Sequence, residues 1–85
     1  MQQFEYTIND PAGFHARPAG AFVKKAKEFP CTVTISKDGK KADASKMFSL
    51  MGLGIKGGET IVVTTEGEQE QEAATALQAY LAEIV

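Results

Sequence analysis

The residue with the clearest capacity for chemistry is His15, the only histidine of the 85-residue chain. It stands in the run Gly13-Phe14-His15-Ala16-Arg17-Pro18, and proline is favoured in the first turn of a helix. Pro18 therefore predicts that His15 lies at about the N-cap, where free backbone N–H groups point toward its side chain. These groups and the helix dipole favour negative charge and disfavour an imidazolium. The pattern predicts a nucleophilic imidazole whose phosphorylated form would occupy an anion site.

Polar residues continue from the histidine along one side of the predicted helix. At about 100° per residue, four of them fall within about 80° of one another: Arg17, Gly20, Lys24 and Lys27. Arg17 is close enough to bind a phosphate through its planar guanidinium, and the lysines suit an acidic partner. Gly20 costs a helix about 1 kcal/mol, and close approach by a partner's backbone would explain its presence. A surface or capping histidine beside a solvated helix face is the alternative interpretation of these residues.

A second candidate surface is apolar and lies within residues 45–53. The segment contains more apolar side chains than a short helix can normally bury on one face: Met47, Phe48, Leu50, Met51 and Leu53. Met47, Leu50 and Leu53 are expected to face the core, which leaves Phe48 and Met51 partly exposed. Exposed methionine and aromatic side chains suit an adaptable docking surface. The pattern alone also allows all five side chains to pack inside.

Other kinds of site have little support in the sequence. A metal site is not expected, because there is no second histidine and no cysteine pair. Nothing in the spacing of Asp10, His15 and Ser45 supports a catalytic triad. Residues 54–57 match the GxxG loop of an RNA-binding KH domain, but two fixed positions are a weak motif and the net charge of −2 disfavours nucleic acid.

Hydrophobic periodicity predicts the elements that must position these residues. Alternating residues predict strands over 3–8, 31–35, 40–44 and 60–65, with an Asp38-Gly39 turn joining the second and third. Spacings of three and four predict a helix from residue 16 to Phe29-Pro30 and another whose acidic first turn is 66–70. Ser45 is expected to cap a short helix over 46–52. The order βαββαβα predicts a two-layer α+β domain, with helices on one face of a four-stranded antiparallel sheet.

Length and composition predict one soluble domain spanning residues 1–85. Hydrophobic residues make up 44% and charged residues 24% of the chain, as in ordinary globular proteins. No apolar run approaches the roughly 20 residues that span a bilayer, and the first residues lack the pattern of a signal peptide. Cys31 is the only cysteine, so no internal disulfide is expected. We therefore expect a cytoplasmic protein.

The chain closely resembles the HPr family, the histidine-containing phosphocarriers of the bacterial sugar phosphotransferase system. The resemblance covers essentially the whole chain and is carried by Gly13-Phe14-His15-Ala16-Arg17-Pro18-Ala19, Leu53-Gly54-Ile55 and Gly57-Gly58. It implies an open-faced β-sandwich with three helices on a four-stranded antiparallel sheet. It also implies a monomeric carrier that is not itself an enzyme and needs no cofactor.

The resemblance also implies roles for particular residues. His15 would accept phosphate on Nδ1 from phosphorylated enzyme I, whose donor is phosphoenolpyruvate, and pass it to the IIA domain of a sugar permease. Arg17 would help to hold the phosphate, and Pro18 would shape the start of the helix. The docking surface would comprise Ala16, Gly20, Lys24, Lys27, Met47, Phe48 and Met51. Transcriptional regulators are a further class of partner, whereas nucleic acid and membrane insertion are not expected.

One position departs from the family pattern. Members under kinase control carry a serine at the start of the second helix, typically directly after a lysine, whereas this chain has Ser45-Lys46. Because Lys46 occupies the acceptor position, we expect the protein to escape HPr kinase. A shift of register that brings Ser45 into the acceptor's place is the alternative.

Two functions remain open on the sequence. One is the phosphoryl carrier, and the other is an HPr-like regulatory module that works by docking. Such regulators typically lack the histidine, so the presence of His15 favours the carrier.

Overall fold

The computed structural model describes residues 1–85 and contains the seven predicted elements in the predicted order. The four strands are β1 (Gln2–Thr7), β2 (Cys31–Lys37), β3 (Lys40–Asp43) and β4 (Thr60–Gly67). The three helices are α1 (Ala16–Ala26), α2 (Met47–Met51) and α3 (Glu70–Ile84). None of these helices combines the length and the apolar character that crossing a membrane requires.

The strands form one antiparallel sheet in the order β1-β4-β2-β3. Side chains alternate between its faces, so that Val33 and Ile35 on β2 are buried while Thr34 between them is partly exposed. The helices cover the apolar face, where α1 buries Phe22 and α3 buries Leu77. A single cluster of 19 buried hydrophobic residues results. The predicted α+β open-faced sandwich is confirmed.

The boundary between β4 and α3 differs from the prediction. The acidic residues 66–70 are expected to form the first helical turn, but Glu66 and Gly67 extend β4 by pairing with Thr32 and Cys31. The chain then turns through Gln69, which has a φ of 60°, and α3 begins at Glu70. The Glu70 carboxylate accepts the Gly67 N–H at 3.0 Å, which closes the turn. The helix therefore starts later than predicted, because pairing with β2 outweighs the preference of a carboxylate for a helix start.

Helix α1 also ends earlier than expected, at Ala26 rather than at Phe29-Pro30. The N–H groups of Glu28 and Phe29 bond to the carbonyls three residues earlier, at 3.1 and 3.3 Å. Such short-range bonds tighten the end of a helix into turns. Pro30 therefore follows the turn rather than stopping the helix directly.

Two loops interlock beneath the start of α1, and each needs a glycine. Gly13 has a φ of 72°, and a Cβ on it would lie 2.5 Å from the Ile55 carbonyl oxygen. A Cβ on Gly57 would lie 2.6 Å from the Asp10 carbonyl oxygen. Because backbone atoms cannot move aside cheaply, the loop over residues 9–14 can rest on the loop over residues 54–58 only with glycine at both positions. This contact fixes the approach of the chain to His15.

We predict that Gly13→Ala lowers the free energy of unfolding by about 3 kcal/mol or more, since the substitution combines strain at positive φ with a backbone clash. Gly54→Ala is the matched control. Gly54 has a φ of 60° and nothing within 4 Å of an added Cβ, so its substitution should cost only about 1 kcal/mol. Urea denaturation measures the free energy of unfolding of both variants. Equal losses would show that the backbone contact at Gly13 does not contribute to stability.

Candidate functional site

His15 is the N-cap residue of α1, as predicted. Its backbone is extended, with φ −82° and ψ −175°, and its side chain is 43% exposed and makes no capping hydrogen bond. The first backbone bond of the helix runs from the Ala19 N–H to the His15 carbonyl at 2.9 Å. The N–H groups of Ala16 and Arg17 precede that bond, and Pro18 has no N–H. The imidazole therefore lies partly exposed at the positive end of an 11-residue helix, without a bond to the free N–H groups there.

The imidazole and two charged side chains line a cavity of about 260 Å³. Its lining comprises Asp10, His15, Arg17, Pro18, Ala21 and Ile84. The Arg17 side chain is exposed and takes part in none of the four ion pairs of the structure, so its guanidinium is free to bind an anion. The structure thus brings His15, Arg17 and Pro18 together, as the sequence predicted. An imidazole nitrogen and a planar cation that line one cavity can receive and hold a phosphoryl group.

Asp10 was not anticipated as a member of this site. Its Oδ2 lies 3.6 Å from Nε2 of His15, and its side chain is 33% exposed. The sequence offers one signal, because an Asn-Asp-Pro turn shortly before the histidine can fold a carboxylate back toward it. The spacing of Asp10 and His15 in the sequence is equally compatible with a turn whose carboxylate points into solvent.

The residue before the histidine anchors the loop to the core. Phe14 is only 5% exposed, and its N–H donates to the Ile55 carbonyl at 3.0 Å. Its ring meets that of Phe22 edge to face, with the centroids 5.7 Å apart. An aromatic pair and a backbone hydrogen bond both hold residue 14. The backbone of the neighbouring His15 is therefore held in place.

Hydrogen bonds and an ion pair from Lys37 support the loop over residues 54–58. Lys37 donates to the carbonyls of Leu53 and Gly54 at 3.2 and 3.0 Å and pairs with Glu59 at 3.1 Å. Hydrogen bonding from the Lys56 N–H, followed by that from Lys37, holds the pKa of Glu59 below its usual range. These bonds tie β2 to the loop on which the His15 segment rests.

The lysines of α1 separate into paired and unpaired side chains. Lys25 lies 3.5 Å from Glu28 and 5.6 Å from the centre of the Tyr80 ring, so it contributes to packing between α1 and α3. Lys24 and Lys27 are exposed and take part in no ion pair. Their exposure is as predicted, and their role in docking stays a prediction.

Gly20 has a neighbour within its own chain. A Cβ built on it would lie 3.8 Å from Cε of Met47, an ordinary contact, and the residue is only partly exposed. The space beside Gly20, which the sequence suggested a partner's backbone would occupy, is therefore partly filled by Met47 of α2. Since an added methyl group would fit, the packing of the chain does not itself require glycine here.

The apolar residues of α2 and of the turn after it divide as the sequence predicted. Leu50 and Leu53 are buried, and Met47 packs against the core. Phe48 is 92% exposed and Met51 is 37% exposed. The alternative in which all five side chains pack inside is wrong, and an aromatic ring projects into solvent from the helix that packs against α1.

Ser45 does not cap α2, which corrects the prediction. The helix begins at Met47 with Lys46 as its N-cap, and Lys46 makes no side-chain capping bond. Ser45 instead donates through Oγ and its own N–H to Oδ1 of Asp43, at 2.7 and 2.8 Å. These two bonds lower the pKa of Asp43. The hydroxyl is thus used by the turn that leaves β3 rather than by the free N–H groups of the helix.

Comparison with known proteins places these features in a family. The family described as "PTS HPr component phosphorylation site" matches residues 2–83. The chain is 48% identical over 81 residues to the HPr-like protein Crh of Halalkalibacterium halodurans, covering 95% of this chain and 96% of that one. It is 40% identical to the phosphocarrier protein HPr of Borreliella burgdorferi, covering 91% of this chain and 90% of that one.

Solved structures show the same fold. HPr from Thermoanaerobacter tengcongensis superposes with a TM-score of 0.93 at 34% identity, over 98% of this chain and 93% of that one. Crh of Bacillus subtilis, whose crystal structure is described as a dimer with a swapped domain, superposes with a TM-score of 0.78 at 39% identity. That match covers 100% of this chain and 98% of that one.

Proposed function

The chain belongs to the HPr family of the phosphotransferase system, and we propose that it carries phosphoryl groups on His15 from phosphorylated enzyme I to the IIA domain of a sugar permease. The observation that carries this proposal is the exposed imidazole at the N-cap of α1, in one cavity with the unpaired Arg17. The protein would work in the cytoplasm as a carrier rather than an enzyme, since it would be the phosphoryl acceptor in the reaction with enzyme I and the phosphoryl donor in the reaction with the IIA domain.

Nδ1, the nitrogen that the resemblance to the family implies, would be the nucleophile in this transfer. The lone pair of Nδ1 attacks phosphorus, an N–P bond forms, and the bond between phosphorus and the donor breaks. The phosphoryl oxygens gain the free N–H groups at the start of α1 and the guanidinium of Arg17. Because the His15 side chain is partly exposed, the acceptor on the IIA domain can attack the phosphorus and break the N–P bond. Pro18, the third residue of α1, contributes by fitting the first turn, where a backbone N–H would have no partner within the helix.

The docking surface we propose lies on α1 and α2 around the histidine. Phe48 and Met51 form its apolar centre, which Met47 continues toward Gly20. Arg17, Lys24 and Lys27 form its basic border, with Ala16 beside the histidine. An apolar centre with a charged border is how transient protein interfaces combine lifetime with rapid encounter.

A regulatory module that acts by docking is the second candidate, because one relative at 48% identity is an HPr-like protein Crh. The retained histidine favours the carrier. Incubation with enzyme I and phosphoenolpyruvate separates the two functions. Stoichiometric phosphate uptake supports the carrier, whereas an intact fold that takes up no phosphate supports the regulator.

We predict that HPr kinase and ATP leave the protein unmodified at the start of α2. Lys46, the extended N-cap of α2, holds the position where kinase-controlled relatives carry serine. Ser45 lies one residue earlier, outside the helix, and successive side chains of extended backbone point in opposite directions. The Ser45 hydroxyl is also bonded to Asp43. Mass spectrometry after incubation gives the result, and the double variant Ser45→Lys with Lys46→Ser, which restores the family order, is the positive control. Stoichiometric phosphoserine at Ser45 in the unaltered protein would contradict the prediction.

We propose that the protein acts as a monomer, although the relative Crh was crystallised as a swapped dimer. Strand β1 completes its own sheet through six paired positions on β4, and Tyr6 donates to the Leu81 carbonyl at 3.3 Å. Sedimentation equilibrium at micromolar concentration should give the mass of one chain. A stable mass of two chains would overturn this assignment.

A further inference from the structure

The Asp10 carboxylate is held in place by the backbone around it. Its Oδ1 accepts the Ala12 N–H at 2.9 Å, its carbonyl accepts the Gly13 N–H at 2.8 Å, and its N–H donates to the Val85 carbonyl at 2.8 Å. The other carboxylate oxygen, Oδ2, faces Nε2 of His15 at 3.6 Å. The two oxygens therefore have different partners, and only one of them is available to the imidazole.

We propose that Asp10 is a positioning residue for phosphoryl transfer, an inference that rests on the proposed function of His15. The carboxylate has no proton to give, so the ring nitrogen that faces it is the one that carries hydrogen. With hydrogen on Nε2, the lone pair lies on Nδ1. Asp10 thereby selects the nucleophilic nitrogen and orients it away from itself.

The same carboxylate acts on the charge that develops during transfer. When Nδ1 forms its bond to phosphorus and the donor's bond breaks, the ring becomes a cation that still carries hydrogen on Nε2. A negative charge beside that hydrogen stabilises the cation, and the hydrogen can then leave to water. Carboxylates play this part toward histidines in hydrolases and metal sites, where they hold the reactive tautomer.

Replacing the carboxylate by an amide should reverse the selection. In Asp10→Asn, the amide oxygen keeps the bond to the Ala12 N–H, so the NH₂ group faces Nε2. An NH₂ group donates and therefore favours a lone pair on Nε2, with hydrogen on Nδ1. Asp10→Ala imposes neither arrangement. The isosteric variant should consequently be more harmful than the truncation, although it preserves the loop better.

Two measurements test the proposal on the full chain. Nitrogen-15 spectra of the neutral His15 ring report which nitrogen carries hydrogen, without any phosphoryl donor. We expect hydrogen on Nε2 in the unaltered protein and a shift of population toward Nδ1 hydrogen in Asp10→Asn. Asp38→Asn removes the same charge from the exposed turn between β2 and β3 and is the matched control. It should leave the ring spectrum unchanged.

Single-turnover transfer from saturating phosphorylated enzyme I gives the second measurement. Asp10→Ala should slow it about two- to fivefold, as expected for an exposed charge pair, and Asp10→Asn should slow it further. Equal ring spectra and equal rates in the unaltered protein and both Asp10 variants would overturn the proposal. A slower Asp10→Ala than Asp10→Asn would also overturn it, since a purely structural role gives that order. Failure of the unaltered protein to accept phosphate would instead refute the carrier function, while the spectra still report the tautomer.

Discussion

His15→Ala is expected to abolish phosphate uptake from enzyme I and phosphoenolpyruvate while leaving the fold intact. The chain has no other imidazole, so no second nitrogen of this kind can accept the group. The side chain is 43% exposed and makes no capping bond, so its removal costs little packing. Uptake is measured with labelled phosphoenolpyruvate, and circular dichroism checks the fold.

Ser45→Ala is the matched control for this experiment. It removes an exposed hydroxyl from the turn before α2 and should retain full uptake. The phosphorylated product of the unaltered protein should be acid-labile, as expected for an N–P bond. Undiminished uptake by His15→Ala, or an acid-stable product, would transfer the assignment to a hydroxyl group.

Phe48→Ala is expected to speed dissociation from enzyme I and from the IIA domain by about 10- to 30-fold. An aromatic side chain that is 92% exposed in the free protein contributes its apolar area only when a partner covers it. Because the ring makes so little contact within the chain, the free energy of unfolding should change little. Phe48→Leu retains an apolar group and should recover most of the lifetime. Surface plasmon resonance gives both rates.

The basic border, formed by Arg17, Lys24 and Lys27, should affect the rate of association. Exchanging Lys24 and Lys27 for glutamate should slow association, most strongly at low salt, because charges at a rim steer the encounter. The same double exchange at Lys40 and Lys41, which are exposed on β3, is the matched control. If the Phe48 and lysine variants bind both partners like the unaltered protein at low salt, the docking surface lies elsewhere.

Local patterns were sufficient to predict most of the scaffold. Residues at spacings of three and four on α1 and α3 are the buried ones, because a helix with one apolar face has few other ways to remove it from water. Pro18 indicated the helix start, and with it the placement of His15 and Arg17, since proline tolerates few other helical positions. The excess of apolar residues in α2 likewise predicted that Phe48 and Met51 would be exposed.

Contacts between distant segments were beyond such patterns. Asp10 is held beside His15 partly by a backbone bond to Val85, which is distant along the chain and which local patterns do not predict. The length of β4 was underestimated because Glu66 and Gly67 gain partners on β2. The capping role predicted for Ser45 is wrong because two neighbours compete for one hydroxyl, and the Asp43 carboxylate binds it.

The most direct test of the carrier function is the phosphorus-31 spectrum of the unaltered protein after incubation with enzyme I and phosphoenolpyruvate. We predict one phosphoryl group per chain, with the chemical shift of a phosphohistidine substituted on Nδ1. After enzyme I and phosphoenolpyruvate are removed, this signal should disappear when an excess of an unphosphorylated IIA domain is added. A spectrum with no protein-bound phosphorus, from protein whose fold is intact, would contradict the assignment of this chain as a phosphocarrier.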